Sequence, residues 1–139
     1  MARPEPHPPE VLEQLRRRGP QTRIAVVGAS NDPAKYGNII VKNLAAKGYT
    51  VLPVNLREGE VAGLPAFPNL AAVPGPVHIV TVVTPPAVTR KVLEEASRLG
   101  LPAVWLQDGS YGETVLDMAA GAPFGTVYEA CIMVASNLG

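Results

Sequence analysis

The chain has 139 residues, which is the size of one domain and enough to bury about 68–70% of the surface that its unfolded form exposes. Twelve basic and twelve acidic residues cancel, so no overall field attracts nucleic acid or an anionic membrane, and any anion site must be local. A single cysteine excludes an internal disulfide framework, no apolar run approaches the ~20 residues that span a bilayer, and the first ten residues lack the apolar core of a signal peptide. These features predict a cytoplasmic protein.

The predicted elements alternate between helices and strands along the chain. A proline-rich stretch, 1–9, is expected to be a flexible arm, and 10–139 to form a single domain. The span 55–76 is predicted to be mostly loop with one turn at 70–73, and 134–139 give no clear prediction. Apolar spacing predicts helices over 10–18, 36–47, 87–99 and 113–119, and strands over 23–28, 49–54, 77–83, 103–106 and 126–128.

This alternation predicts a Rossmann-like α/β fold with three layers. Right-handed crossovers would give a five-stranded, mainly parallel sheet with helices on both faces. We expect the strand order to switch direction beside the first strand, and ligands bind there at the carboxyl ends of the strands. The residues that follow the strands are therefore the candidate site.

The first strand ends in a glycine turn that leads into a helix. The turn begins with Gly28-Ala29-Ser30 and reaches the helix at Lys35-Tyr36. Its backbone N–H groups, the Ser30 hydroxyl and the Lys35 charge can bind phosphate. Ser30 stands where the fingerprint G-x-G-x-x-G has its second glycine, and the next glycine is Gly37, which disfavours NAD in its usual pose. The alternative is an ordinary helix start with Ser30, or the residue after it, as the cap.

The second strand ends in Val54-Asn55, followed closely by Arg57. An NAD-binding protein would place a carboxylate here for the ribose hydroxyls, and neither Asn55 nor Arg57 can take that role. A basic residue suits an additional phosphate on the ribose. The alternative is that Arg57 is a solvated charge on a surface loop.

Two further strand ends carry candidate residues. Thr84-Pro85-Pro86 follows the third strand, and its prolines either present a flat apolar edge to a ligand or begin the next helix. Gln107 and Ser110 follow the fourth strand and could line the far end of the cleft. Trp105, just before them, is predicted to be a core residue.

The remaining reactive residue types give little sign of chemistry. With two histidines and one cysteine, a zinc site is not expected, and His78 is predicted to be structural or exposed. Cys131 stands among apolar residues and is predicted to be a buried, unreactive thiol. No nucleophile elbow or P-loop pattern occurs, and no acid and base are paired at one strand end, so no catalytic residue is predicted.

Taken together, the strand ends resemble the coenzyme A-binding domain family, which occurs in small stand-alone proteins and in the N-terminal part of the succinyl-CoA synthetase alpha subunit. The chain departs from the family pattern at Leu56, at His78 and at Ala130, where the family usually has proline, aspartate and arginine. The resemblance covers about residues 22–134 and rests on Val27-Gly28-Ala29-Ser30 with Lys35-Tyr36-Gly37, Gly48-Tyr49-Thr50-Val51-Leu52-Pro53-Val54-Asn55, Val83-Thr84-Pro85-Pro86, Val104-Trp105-Leu106-Gln107-Asp108-Gly109 and Cys131-Ile132-Met133.

The resemblance implies that CoA lies across the strand ends. It assigns the pyrophosphate to Gly28, Ala29, Ser30, Lys35 and Tyr36, and the adenosine with its 3′-phosphate to Val54, Asn55 and Arg57. It places Pro85 and Pro86, with Thr84 before them, beside the nucleotide, and Gln107 and Gly109 toward the pantetheine arm.

The expected function is non-catalytic binding of CoA or an acyl-CoA, as a sensor, carrier or partner protein, with a homodimer or an unidentified protein partner left open. The phosphohistidine of the synthetase belongs to a second domain with no counterpart in this sequence, so the resemblance does not extend to ligase activity. Two alternatives remain: an NAD(P)-linked or CoA-ligase-type enzyme subunit, and a degenerate fold that serves only as an interaction module.

Overall fold

The computed structural model describes residues 3–4 and 7–138, the last by its backbone only. The helices are α1 (Pro9–Arg16), α2 (Tyr36–Ala46), α3 (Pro86–Arg98), α4 (Glu113–Ala120) and α5 (Ile132–Ala135), with short 3-10 helices at Leu70–Ala72 and Ser136–Leu138. The strands are β1 (Arg23–Val27), β2 (Thr50–Val54), β3 (Glu60–Val61), β4 (Leu64–Pro65), β5 (Ile79–Val82), β6 (Ala103–Leu106) and β7 (Gly125–Val127).

A five-stranded sheet in the order β2-β1-β5-β6-β7 forms the centre of the molecule, and each neighbouring pair is parallel. From β1 the chain first moves to β2 on one side and then returns to β5 on the other. The predicted parallel sheet and the switch beside the first strand are therefore confirmed. Predicted boundaries differ from the observed ones by one or two residues in most elements, as is usual where helices and strands fray.

Helices cover both faces of the sheet. Ile24 and Val26 point to the layer of α1, α2 and α5, while Ala25 and Val27 point to the layer of α3 and α4. Alternate residues of β1 thus enter two different cores, which explains why its sequence is apolar without interruption. The structure is the expected three-layer Rossmann-like fold.

Two predictions about single residues are confirmed. Trp105 is fully buried, and its Nε1 donates to the carbonyl oxygen of Ala130 at 2.9 Å. His78 has a structural role, because its Nδ1 accepts from the backbone N–H of Arg23 at 3.1 Å.

The span 55–76 contains more structure than its sequence predicts. It holds the β3–β4 hairpin and the 3-10 helix, which matches the predicted turn at 70–73. Phe67 runs beside the end of β2, where its N–H donates to the oxygen of Pro53 at 3.0 Å and its oxygen accepts from the N–H of Asn55 at 2.9 Å. The span therefore folds back on the sheet and supplies one wall of a cleft.

The predicted arm, 1–9, partly lies outside the described residues, at 1–2 and 5–6. Arg3 forms an ion pair with Glu113, and the hydroxyl of Tyr128 donates to the oxygen of Pro4 at 2.8 Å. Pro9 already belongs to α1. In the described part of the chain, no helix combines the length and the apolar character that a membrane span requires.

Candidate functional site

The turn after β1 lies against the residues that follow β5 and against the first turn of α2. Gly28 has a φ of 96°, a conformation that favours glycine, and a Cβ atom there would lie 2.7 Å from Cγ2 of Val83. The N-cap position of α2 is occupied by Lys35, and within the described residues no side chain caps this helix. The capping role considered for Ser30 and Asn31 is therefore wrong. The N–H groups of Tyr36 and Gly37 remain available for an anion, while those of Lys35 and Asn38 donate to backbone oxygens.

Polar side chains of the turn bond to nearby backbone. The Oγ of Ser30 accepts from the N–H of Asp32 at 3.0 Å, which leaves its hydroxyl proton for another acceptor. Asn31 donates to the oxygen of Glu60 at 2.8 Å and accepts from the N–H of Ala62 at 3.1 Å. The β3–β4 hairpin thus holds the glycine turn in place.

Asn55 connects the ends of β1 and β2. Its Nδ2 donates to the oxygen of Ala29 at 2.8 Å, and its Oδ1 accepts from the N–H groups of Arg57 at 2.8 Å and Glu58 at 2.9 Å. These bonds use the amide oxygen twice and one of the two N–H groups of Nδ2, so Asn55 shapes the loop and retains one N–H that can still donate. The same bonds set the path of the backbone that carries Arg57.

Two clefts flank the glycine turn, and they are called the larger and the smaller cleft. The larger cleft, of about 370 Å³, lies beside the switch point of the sheet, where the ends of β1, β2 and β5 meet α3. Six residues expected from the sequence line it: Gly28, Ala29, Val54, Asn55, Arg57 and Thr84. Sequence reasoning missed the rest of its lining, namely Val27, Leu56, Pro68, Asn69, Val88, Val92 and Glu95.

The missed lining comes from elements that no local motif marks. Val88 and Val92 are one helical turn apart on α3, a spacing that also fits an ordinary core face. Glu95, one turn further, accepts from the N–H groups of Leu70 at 3.2 Å and Ala71 at 3.4 Å. Its carboxylate therefore stabilises the start of the 3-10 helix at the cleft wall.

A smaller cleft, of about 100 Å³, lies on the other side of the glycine turn. Its lining includes two expected residues, Tyr36 and Gln107, and three others: Val83, Asp108 and Cys131. Cys131 is half-buried, so the prediction of a buried thiol is wrong, because the chain turns into α5 at Cys131 and leaves its side chain at the cleft.

Gln107 is held in place by its neighbours. Its Oε1 accepts from the N–H of Ile132 at 2.9 Å, and its Nε2 lies 3.4 Å from the Sγ of Cys131. Ser110 was expected to line the cleft, but it is buried and its Oγ donates to the backbone oxygen of Gln107 at 2.6 Å. The side chain of Gln107 therefore forms a fixed wall.

Lys47 anchors α5 at its other end. Its Nζ donates to the oxygen of Met133 and to the Oγ of Ser136, both at 2.7 Å. Burial, and to a lesser degree the nearby charge of Arg18, lowers the pKa of Lys47. The short helix that follows Cys131 is thus fixed at both ends.

The other expected residues line neither cleft. Lys35 is exposed at the start of α2, and Ser30 lies in the turn before it. Pro85 is the N-cap of α3 and Pro86 its first residue, as in the alternative that gave these prolines a helix-starting role. Gly109 turns the chain after β6 with a φ of 90°.

One further ionisable group lies near the smaller cleft. Burial raises the pKa of Tyr111, the N–H of Glu129 lowers it by donating to the phenol oxygen at 3.2 Å, and the charge of Asp108 raises it further. No group of three or more His, Cys, Asp or Glu side chains that could hold a metal ion occurs within 3–4 and 7–138.

Comparisons with known proteins point to one family. The alpha subunit of ADP-forming acetate–CoA ligase II from Pyrococcus furiosus is 40% identical over 92 residues, which cover 66% of this chain and 20% of the subunit. The chain thus spans about a fifth of the length of that relative. The uncharacterized protein YneT of Bacillus subtilis is 32% identical over 130 residues, which cover 94% of each chain.

Several solved structures resemble this chain in sequence and in fold. A hypothetical protein from Pyrococcus horikoshii OT3 is 30% identical and superposes with a TM-score of 0.84 over 100% of both chains. Acetyl-coenzyme A synthetase 1 of Ca. Korarchaeum cryptofilum, solved with phosphate and ADP, is 34% identical with a TM-score of 0.59, covering 68% of this chain and 20% of that one. Residues 22–137 match the family described as CoA binding domain, and the chain belongs to this family.

Proposed function

We propose that this chain binds coenzyme A across the carboxyl ends of β1, β2, β5 and β6, without catalysing a reaction of its own. The adenosine occupies the larger cleft, the pyrophosphate lies at the glycine turn, and the pantetheine arm runs toward the smaller cleft. The observation that carries the proposal is the position of the two clefts on either side of Gly28. They meet at consecutive residues, since Thr84 lines the larger cleft and Val83 the smaller one.

Local positive charge supports an anionic ligand. The uncapped N terminus of α2 carries the positive end of the helix dipole, and Lys35 stands at that position. Arg57 lines the larger cleft on the β2 side. Among the described residues, neither side chain forms an ion pair with an acidic group. Both cations can therefore serve phosphates, Lys35 at the pyrophosphate and Arg57 at the 3′-phosphate.

The same residues favour CoA over a nicotinamide dinucleotide. Asn55 occupies the place of the ribose-binding carboxylate, and its amide is already bonded within the two loops. The carboxylate that does line the larger cleft, Glu95, is bonded to the 3-10 helix. An arginine beside the ribose fits a ligand that carries an additional phosphate there, as CoA and NADP do and NAD does not. NADP is disfavoured instead by Ser30, which stands where the dinucleotide fingerprint has its second glycine.

A second candidate role is that of the CoA-holding part of a larger ligase-type assembly. Its support is the 40% identity with the alpha subunit of an ADP-forming acetate–CoA ligase, of which this chain spans a fifth. In that role the chain supplies the CoA site, and other domains or subunits supply the acyl-activating chemistry.

Calorimetric titration with CoA and with 3′-dephospho-CoA tests the proposal on the wild type, Lys35→Ala and Arg57→Ala. Loss of a charge-assisted hydrogen bond costs about 1.5–3 kcal/mol, so Lys35→Ala should lower the affinity for both ligands about tenfold or more. Arg57→Ala should lower the affinity for CoA and leave the affinity for dephospho-CoA nearly unchanged, which removes the preference of the wild type for CoA.

Lys42→Ala is the matched control, because Lys42 is an exposed lysine of the same helix, α2, and lines neither cleft. Equal affinity of all variants for both ligands would overturn the assignment of Lys35 and Arg57. No binding of CoA to the wild type would overturn the proposed function itself.

A further inference from the structure

We propose that the smaller cleft accommodates a free thiol or a short, uncharged acyl group and gives a longer acyl chain no additional binding, so that the protein discriminates against negatively charged acyl groups and does not select long ones. The inference rests on the proposed function, since it assumes that the pantetheine arm runs from the larger cleft to the smaller one.

The first observation is the size of the smaller cleft and the rigidity of its walls. It encloses about 100 Å³, against about 370 Å³ for the larger cleft. Gln107 cannot swing aside without losing its bond to the N–H of Ile132. Val83 is packed against Gly28 and its N–H donates to the oxygen of Val27 at 3.0 Å. On the side of Gln107 and Val83, the cleft therefore has little freedom to widen for a long chain.

The second observation is where a longer acyl chain would go. Tyr36, 63% exposed, and the exposed Asp108 stand at the open side, so a chain that outgrows the cleft passes them into solvent. A larger apolar groove, of about 420 Å³, runs along β2 between Tyr49 and Phe67. In the sheet, β1 and β5 separate β2 from β6, and Gln107 directly follows β6, so this groove lies away from the thiol end.

Burial in a protein would make affinity rise about fourfold for each added methylene group. An acyl chain that stays in water gains no such affinity. The affinity for saturated acyl-CoAs should therefore stay flat or fall beyond the shortest acyl groups.

The third observation concerns charge. Asp108 is the charged residue of the smaller cleft, and the residues described as lining that cleft include no lysine or arginine. Lys35, next to Tyr36 in the chain, is assigned to the pyrophosphate. A carboxylate at the end of an acyl group would thus face the Asp108 carboxylate without a cation to balance it.

The experiment is a calorimetric titration at low salt with CoA and with acetyl-, butyryl-, octanoyl- and succinyl-CoA. Butyryl and succinyl groups have the same number of carbons and differ in charge, so the pair isolates the charge effect. We expect CoA and acetyl-CoA to bind within about threefold of each other, octanoyl-CoA no more tightly than acetyl-CoA, and succinyl-CoA at least threefold more weakly than butyryl-CoA.

Asp108→Asn should abolish the difference between succinyl- and butyryl-CoA. The control Glu94→Gln removes an acidic charge from α3 at a residue that lines neither cleft, and should preserve the difference. Octanoyl-CoA binding tenfold more tightly than acetyl-CoA, or equal affinity for butyryl- and succinyl-CoA, would overturn the inference while leaving CoA binding intact. Failure of CoA itself to bind would instead overturn the proposed function.

Discussion

A Cβ atom on Gly37 would lie 2.0 Å from the carbonyl oxygen of Gly28, so α2 begins in direct contact with the turn that ends β1. This approach takes the place of the close helix–strand packing that the third glycine of G-x-G-x-x-G provides in dinucleotide-binding folds. It brings the uncapped start of α2 to the strand ends, between the two clefts.

Gly37→Ala should therefore destabilise the protein and displace the start of α2. The added methyl group meets backbone, which cannot rotate away, and overpacking of this kind costs about 1–3 kcal/mol or more. Urea unfolding measures the loss of stability, and CoA affinity should fall with it. Gly59→Ala is the control, because a Cβ atom at Gly59 meets no atom within 4 Å, and its effect should stay within about 0.5 kcal/mol. Similar stabilities for the two variants would contradict the close contact.

The bridge made by Asn55 gives a second prediction. Asn55→Ala removes its bonds to Ala29, Arg57 and Glu58 and should destabilise the fold by about 1–3 kcal/mol. Hydrogen exchange at the N–H groups of Arg57 and Glu58 should become faster. Asn55→Asp keeps the acceptor for those two groups, so their protection should persist, although its second oxygen replaces the donor to Ala29 and repels that carbonyl oxygen. Unchanged exchange in Asn55→Ala would show that these bonds do not hold the loop.

The sequence predicts the longer strands and helices well because they have a long enough apolar pattern. The uninterrupted apolar run of β1 and the i, i+3, i+4 spacing in α2 and α3 identify elements without any knowledge of their partners. The β3–β4 hairpin has two-residue strands, too short to show a period, and α5 has a single turn. The hairpin forms because the edge of the sheet at β2 holds it. The helix α5 forms because the contacts of Lys47 hold it.

The site is less predictable than the fold because its walls come from distant segments. Gly28 directly follows β1, and Arg57 stands in the loop that leaves β2, so the strand-end rule finds them. Val88 and Val92 face the larger cleft from a helix whose pattern looks like any core face. Cys131 lies at the smaller cleft beside Gln107, 24 residues earlier in the chain, which bonds to both Cys131 and Ile132, and no local pattern around Cys131 indicates that contact.

Tyr111 gives a prediction for alkaline pH. Burial raises its pKa above the ordinary value of 10.0, which means that the folded state favours the neutral phenol more than the unfolded state does. This contribution to stability is present in full below pH 10 and is lost as the pH rises through the raised pKa. At neutral pH, Tyr111→Phe should cost about 0.5–1.5 kcal/mol through loss of the bond from Glu129.

The difference between the wild type and Tyr111→Phe should shrink as the pH rises above 10, because only the wild type carries the phenol that must ionise. Urea unfolding of both proteins at a series of pH values, from neutral to alkaline, measures this difference in stability. A difference that stays constant or grows with pH would contradict the proposed environment of this side chain.

The central claim is that the strand ends bind CoA rather than a nicotinamide dinucleotide, and thermal unfolding of the wild type with CoA, NAD or NADP tests it most directly. A ligand at 100 times its dissociation constant stabilises the folded state by about 2.7 kcal/mol, which is easily seen as a rise in Tm. We predict stabilisation by CoA and a much smaller effect, or none, for NAD and NADP at the same concentration. Stabilisation by NAD or NADP without stabilisation by CoA would contradict the account.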